Sequence, residues 1–196
     1  KITDYAKNVQ SGIDYFTPSG ESTPIPFDNI VTTLVSDVQE MFLNATSFNQ
    51  PIGSWDVSNV TNMSYLFSNA AFNQPIGSWD VSNVTNMRVM FQRNNDFNQP
   101  IGSWDVSKVN DMSYMFQNAS AFNQPIDSWN VSNVTDMLGM FASATSFNQP
   151  IDSWNVSKVN NMVAMFSEAS AFNQPIGSWV VSNVTDMRSM FDNAIS

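Results

Sequence analysis

The chain has 196 residues, a formal net charge of −10, and neither cysteine nor histidine. Without these two residue types there are no disulfides, thiol nucleophiles, imidazole bases or usual zinc sites, so we predict no metal and no cofactor. Seven Lys and Arg residues are too few for the phosphate-neutralising surface that nucleic-acid binding needs. No apolar run approaches the roughly 18 residues of a membrane helix, so we expect no membrane insertion within this segment. The acidity fits a soluble protein that is extracellular or displayed on a cell surface.

Residues 1–34 contain no repeat and are predicted to form an N-terminal segment and cap. Proline- and glycine-containing stretches at residues 17–20 and 24–26 divide the segment into turns. Residues 28–34 are apolar enough to supply an edge strand. A stacked array needs such a cover over its first core.

From residue 35 onward, the motif FNQPIGSWDVSNVTNM recurs six times with small changes. Successive tryptophans are spaced by 24, 25, 25, 25 and 25 residues. A fixed period in this range indicates stacked units rather than one irregular core. The tryptophans that mark the units are Trp55, Trp79, Trp104, Trp129, Trp154 and Trp179.

Each unit is predicted to contain a strand and then a helix. Trp55 and Val57 are two residues apart and would share one face of a short strand, with Ser54 and Asp56 on the other face. The apolar spacing then changes to a helical stripe that must end before Pro75. This stripe consists of Val60, Met63, Leu66, Phe67 and Ala70.

The pattern therefore predicts an α/β repeat. We expect a right-handed solenoid of leucine-rich-repeat type over residues 35–196, with parallel strands on one face and short helices on the other. It would hold about six and a half copies. The apolar columns, including most of the Phe, Met and Trp residues, would form a continuous core.

Two polar columns are predicted to line the exposed strand face. Each of the first five copies carries an acidic residue in one column or the other. One interpretation is a ladder of carboxylates that binds cations or a polar ligand. The other is a solvated acidic face that only keeps the surface soluble, and this second interpretation is favoured. Calcium-loop spacing is absent. The candidate binding residues are Ser54, Asp56, Asp80, Asp105, Asn130 and Asn155, together with Asp127 and Asp152.

A third column of Thr and Asn residues suggests two further roles. A flat array of threonines orders water, so an ice- or crystal-binding protein is one alternative. Capping of the helix starts is the favoured interpretation, because these side chains accept hydrogen bonds from unpaired N–H groups. The column consists of Thr61, Thr85, Asn110, Thr135, Asn160 and Thr185.

The sequence contains no nucleophile elbow, phosphate loop or histidine-based metal motif, so we predict that the protein is not an enzyme. A carboxylate-based glycoside hydrolase is a weaker alternative, because repeated acids lack the contrasting environments that separate an acid from a base.

The unit W-D-V-S-N-V-T-N-M-x-x-M-F-x-x-A-x-x-F-N-Q-P-I resembles the BspA-like leucine-rich-repeat surface proteins over about residues 35–196. That resemblance implies a secreted or cell-surface protein of adhesion, ligand-binding or structural type, with a protein or glycan as its surface ligand. The chain departs from some relatives in having alanine, as at Ala70 and Ala119, where they carry cysteine.

The chain stops at Ser196, inside a repeat, and no cap is visible there. We expect either continuation beyond this point or docking of the open end on another molecule, with end-to-end self-association and filaments as one outcome. The predicted assembly residues are Val180, Met190 and Phe191.

Overall fold

A computed structural model describes residues 15–16, 25–26 and 32–195. The first two segments are strands β1 (Tyr15–Phe16) and β2 (Ile25–Pro26). They pair antiparallel, with Tyr15 opposite Pro26 and Phe16 opposite Ile25. The rest of the predicted cap, up to residue 31, lies outside the described residues.

Residues 32–195 form a stack in which each repeat, here called a coil, lies against the next. Hydrogen bonds join residues 23 to 28 positions apart along the whole stack. The stack consists of a half-coil at 32–51 and six coils at 52–75, 76–100, 101–125, 126–150, 151–175 and 176–195.

The second half of each coil is a ribbon of turns, and the predicted helices are absent from the described residues. In the ribbon at 86–94, the N–H groups of Met90, Gln92 and Asn94 donate to carbonyl oxygens three residues earlier, at 3.3, 3.2 and 3.0 Å. An α-helix would instead bond four residues back. The alternate N–H groups, at positions 87, 89, 91 and 93, donate to the next coil at 2.8 to 3.0 Å.

This ribbon pairs its peptide groups without a helix or a regular sheet. Within the ribbon at 62–70, odd-numbered residues donate to the following coil, and even-numbered carbonyls accept from the preceding coil. The remaining groups close turns, so the hydrogen-bonding requirement of a buried backbone is met. Every ribbon also places residues with positive φ four positions apart, such as Val89 at 61° and Arg93 at 54°. Non-glycine residues rarely adopt this conformation, so the inter-coil bonds and packing must offset its cost.

The strands predicted for each repeat are absent from the described repeats, so that prediction is also wrong. In the coil at 101–125, the Trp104 N–H donates to the Ile101 carbonyl at 3.1 Å and the Val109 N–H to the Val106 carbonyl at 2.9 Å, which makes two turns. Parallel pairing is confined to isolated bridges at the ribbon starts, such as that between Asn62 and Asn86. The described chain is therefore not an α/β solenoid of leucine-rich-repeat type but a stack of turn-rich coils.

The apolar columns predicted from the sequence do form one continuous core. Phenylalanines stack along it: the rings of Phe91 and Phe116 lie 5.6 Å apart with 4° between their planes. Within a coil, Phe116 also stacks on Phe122 at 3.9 Å. This packing buries large aromatic area and fixes the distance between coils.

Side-chain amides bond neighbouring coils at the Asn-Gln-Pro turns. The backbone N–H of Asn98 donates to Asn73 Oδ1 at 3.1 Å, and Asn123 repeats this contact with Asn98 at 3.0 Å. Gln99 Nε2 also donates to Asn73 Oδ1, at 2.9 Å. The Asn-Gln pair thus has the structural role of an amide ladder.

Candidate functional site

The first polar column is exposed, and its side chains close turns within their own coils. Each Oδ1 accepts the backbone N–H of the serine two residues later, at 3.0 to 3.2 Å. Aspartate and asparagine both supply this oxygen, which explains why they interchange in the column. The residues concerned are Asp56, Asp80, Asp105, Asn130 and Asn155.

Hydrogen bonds from serine lower the pKa of three carboxyls in this column. The Ser58 hydroxyl, and then its backbone N–H, hold the pKa of Asp56 below the ordinary value of 3.8. The equivalent serines lower the pKa of Asp80 and Asp105 in the same way. A general acid in catalysis needs a raised pKa, so these carboxylates are unsuited to that role. Over the described part of the chain, no three acidic side chains form a group that would hold a metal ion.

The second column supplies contacts between coils. The carbonyl of Asp127 accepts the Ser153 hydroxyl at 2.9 Å, and Asp152 Oδ1 accepts the Ser178 backbone N–H at 3.0 Å. Ser54 lies exposed in the turn that follows Ile52. Asp127 and Asp152 therefore contribute to stacking, and their described contacts do not bring the candidates together into one pocket.

The threonine column also bonds adjacent coils. The Thr135 hydroxyl donates to the Asn110 carbonyl at 3.1 Å, and the Thr185 hydroxyl to the Asn160 carbonyl at 2.9 Å. Capping of helix starts is wrong for this column, because the described residues include no helix to cap. The donor of each of these hydroxyls is already used inside the protein, which disfavours an ordered-water array.

The last coil leaves core columns open to solvent. Phe191 is 49 % exposed and Val181 39 % exposed, whereas Phe166 and Val156, their equivalents one coil earlier, are buried. Val180 is exposed and Met190 is buried. At the other end of the stack, Phe42 is only 1 % exposed. Among the described residues, the exposed large hydrophobic side chains cluster at the C-terminal end, while the N-terminal end has one, Leu34.

The same end carries unused backbone donors. In the preceding coil, Met162, Ala164, Phe166 and Glu168 donate their N–H groups to carbonyls of the last ribbon. The equivalent N–H groups at positions 187, 189, 191 and 193 donate to no described residue. Unpaired backbone groups of this kind are a template for another chain.

A family model described as "Mycoplasma protein of unknown function, DUF285" matches residues 14–118 and 93–196. The chain belongs to the DUF285 family. Two overlapping matches are expected of a DUF285 chain whose coils are alike. The finer identification with BspA-like leucine-rich-repeat proteins is not confirmed by this match. No curated protein and no solved structure matches the chain significantly.

The DUF285 chain has a notch between three successive coils, which the sequence analysis did not predict. The segment from Phe67 to Phe72 is one residue shorter than the equivalent segment from Phe91 to Phe97. The shorter loop is recessed between its longer neighbours and leaves an open volume of about 170 Å³. The irregular spacing was the signal in the sequence. The notch is lined by Thr46, Asn69, Ala70, Ala71, Arg93, Asn95 and Asp96.

The chain forms no helix, in its described part, with the length and apolarity that a membrane crossing requires.

Proposed function

We propose that this DUF285 protein is a non-enzymatic structural and interaction module that associates through the open face of its last coil. The observation that carries the proposal is the contrast between Phe191, 49 % exposed at that face, and the buried phenylalanines stacked beneath it. Apolar surface next to unpaired N–H groups favours association.

For the chain of 196 residues, the partner proposed for this face is a second copy, joined tail to tail. Head-to-tail stacking would need an equally open face at the other end, but Val38 and Phe42 of the half-coil are already buried. Two copies of one face give a closed pair with twofold symmetry rather than a filament. The contact rests on apolar side chains, because both faces present N–H donors and the ribbon carbonyls at 186–192 already accept hydrogen bonds within each copy. The filament that the sequence suggested is therefore not part of this proposal.

Use of the polar columns in the structure supports the non-enzymatic part of the proposal. Asp80 and Asn130 close turns, and Thr135 bonds the preceding coil. The lowered pKa of Asp80 also works against a glycoside hydrolase that uses this column, because such an enzyme needs one protonated carboxyl.

We also propose an extracellular or cell-surface location, with a protein or glycan as the external ligand. The net charge of −10 and the absence of cysteine and histidine are compatible with this location, and the exposed acidic column would face solvent there. Digestion of intact cells with an added protease tests it: loss of the protein without cell lysis is expected, and full protection would contradict it.

Sedimentation velocity over a wide concentration range tests the tail-to-tail pair. The wild-type chain should change from monomer to dimer and stop there. Phe191→Asp should remain monomeric, because a buried unpaired charge opposes the contact. Leu34→Asp is the matched control, because Leu34 is an apolar residue that is 95 % exposed and distant in sequence from Phe191. The Leu34→Asp variant should dimerise normally.

If Phe191→Asp unfolds its own coil, its failure to dimerise is not informative. Amide hydrogen exchange of the wild-type chain then tests the pair without a substitution. In the wild-type chain, the amides of residues 187, 189, 191 and 193 should gain protection as concentration rises, because the apolar contact excludes water from them. A monomer at every concentration, or open-ended polymers, would refute the closed pair.

A further inference from the structure

The notch differs from the rest of the stack because it arises where the repeat is broken. Ala70 and Ala71 of the shortened loop line it, together with Thr46 of the preceding half-coil. At the base, Asn69 Nδ2 donates to Asn44 Oδ1 at 2.9 Å. The result is a small, open concavity lined by both polar and apolar atoms.

Two opposite charges flank this notch on the side of the following coil. Arg93 and Asp96 both line it and both are exposed. Among the described residues, the ion pair found is that of Arg188 with Asp186, so neither Arg93 nor Asp96 is paired with a described partner. The guanidinium donors and the carboxylate oxygens therefore remain available to a ligand.

A second, independent irregularity lies in the same turn. Asn94 stands where the neighbouring coils have Ala70 and Ala119, and it is 0 % exposed. Both of its side-chain polar atoms lack a hydrogen-bond partner among the described residues. Leaving such atoms unpaired costs stability, and departures of this kind concentrate at functional sites.

We propose that the notch binds a zwitterionic group, with a carboxylate on Arg93 and an ammonium on Asp96. A simple anion would be repelled by Asp96 and a simple cation by Arg93, whereas a zwitterion satisfies both. A neutral ligand would leave both charges without a partner. The volume of about 170 Å³ is below that of usual ligand sites, so a single amino acid or one pair of peptide side chains fits the notch.

Titration of the ¹⁵N-labelled protein, followed by amide chemical shifts, tests the proposal with defined probes. Free glycine and free glutamate represent an amino-acid ligand, and the capped peptide acetyl-Glu-Ala-Lys-amide represents a protein segment. N-acetylalanine amide is the uncharged control. Shifts at residues 69–71 and 93–96 with a Kd on the order of 1 mM are expected for a charged probe, because so small a site buries little of its ligand.

Three variants locate the binding. Arg93→Gln and Asp96→Asn should each weaken it about tenfold, the loss of one charge-assisted contact. Insertion of one serine between Ala70 and Ala71 recreates the Ala-Ser-Ala-Phe sequence of residues 119–122 and fills the notch while both charges remain. Binding should then be lost in a chain that stays folded.

The arms of the titration separate the two sources of the ligand. Binding of the free amino acids but not of the capped peptide indicates a small-molecule site, and the reverse indicates a protein segment; either outcome supports the notch. The proposal is overturned if every charged probe behaves like N-acetylalanine amide, or if the serine insertion leaves binding unchanged. Tail-to-tail pairing is measured separately and does not affect this result.

Discussion

The indole Nε1–H of Trp104 donates to the carbonyl oxygen of Ile76, 3.1 Å away in the preceding coil. Both residues are buried, so the carbonyl has no access to water as an alternative partner. The same contact, at 3.0 to 3.2 Å, recurs for the other tryptophans from Trp79 to Trp179. Each of these carbonyls also accepts a tryptophan backbone N–H of its own coil, so the indole adds a second hydrogen bond from the next coil, and this coupling makes the stack cooperative.

Replacing Trp104 by Phe should lower the free energy of unfolding by about 0.5–1.5 kcal/mol, because an aromatic ring remains but the Ile76 carbonyl keeps only its hydrogen bond from the Trp79 backbone N–H. Scanning calorimetry measures the change. Asp105→Asn, next to it on the surface, keeps the turn acceptor and should be close to neutral. A Trp104→Phe chain as stable as the wild type would show that the indole bond contributes little.

Val180 occupies the first polar column, whose other members close turns, but it has no side-chain oxygen to accept the backbone N–H of Ser182. Val180→Asn should stabilise the last coil by about 0.5–1.5 kcal/mol through one new hydrogen bond. The reciprocal change, Asn155→Val, removes the 3.1 Å bond to Ser157 and should destabilise its coil. Amide exchange in the two coils reports both effects, and opposite signs are required.

Asn94→Ala should raise the free energy of unfolding by about 1 kcal/mol, because it removes two buried polar atoms without partners. The matched control is Ala119→Asn, which places the same amide in the next coil and should destabilise it. Thermal denaturation measures both variants. A loss of stability in Asn94→Ala would mean that this amide has a partner in solution, such as a bound water.

The lowered pKa values of the exposed aspartates predict how the stability of the fold depends on pH. Folding lowers the pKa of Asp56, Asp80 and Asp105 below 3.8, so their contribution is complete above that value and is lost as pH falls through the folded-state pKa. The triple change to Asn should leave stability at neutral pH nearly unchanged and make it decline less below about pH 4. Melting temperatures measured from pH 7 to pH 2 test this, and parallel curves for both proteins would contradict it.

The sequence was sufficient to predict the repeat, its period and the apolar core. It was not sufficient to predict the backbone, because the spacings of three and one between Met112, Met115 and Phe116 fit a ribbon of turns as well as a helix. In the ribbon, Phe116 donates its N–H to Met140 in the next coil, at 2.9 Å. Propensity and periodicity describe one segment at a time and do not include a neighbour that offers carbonyls in register.

The candidate site was predicted less well. Asp80 was assigned to an exposed face correctly, but its bond to Ser82 follows from local turn geometry that the strand prediction concealed. Arg93 and Asp96 were not singled out, because a tryptophan spacing of 24 rather than 25 residues does not by itself indicate a pocket. Where copies are nearly identical, the departures from the pattern carry most of the information about function.

Amide hydrogen exchange, residue by residue, tests the stacked ribbons and their open end most directly. At low concentration, the amides of Met162, Ala164, Phe166 and Glu168 should exchange slowly, because each bonds the next coil, while those at 187, 189, 191 and 193 exchange fast. As concentration rises, the second set should become protected. Equal protection of both sets in dilute solution, or fast exchange in both, would contradict the account.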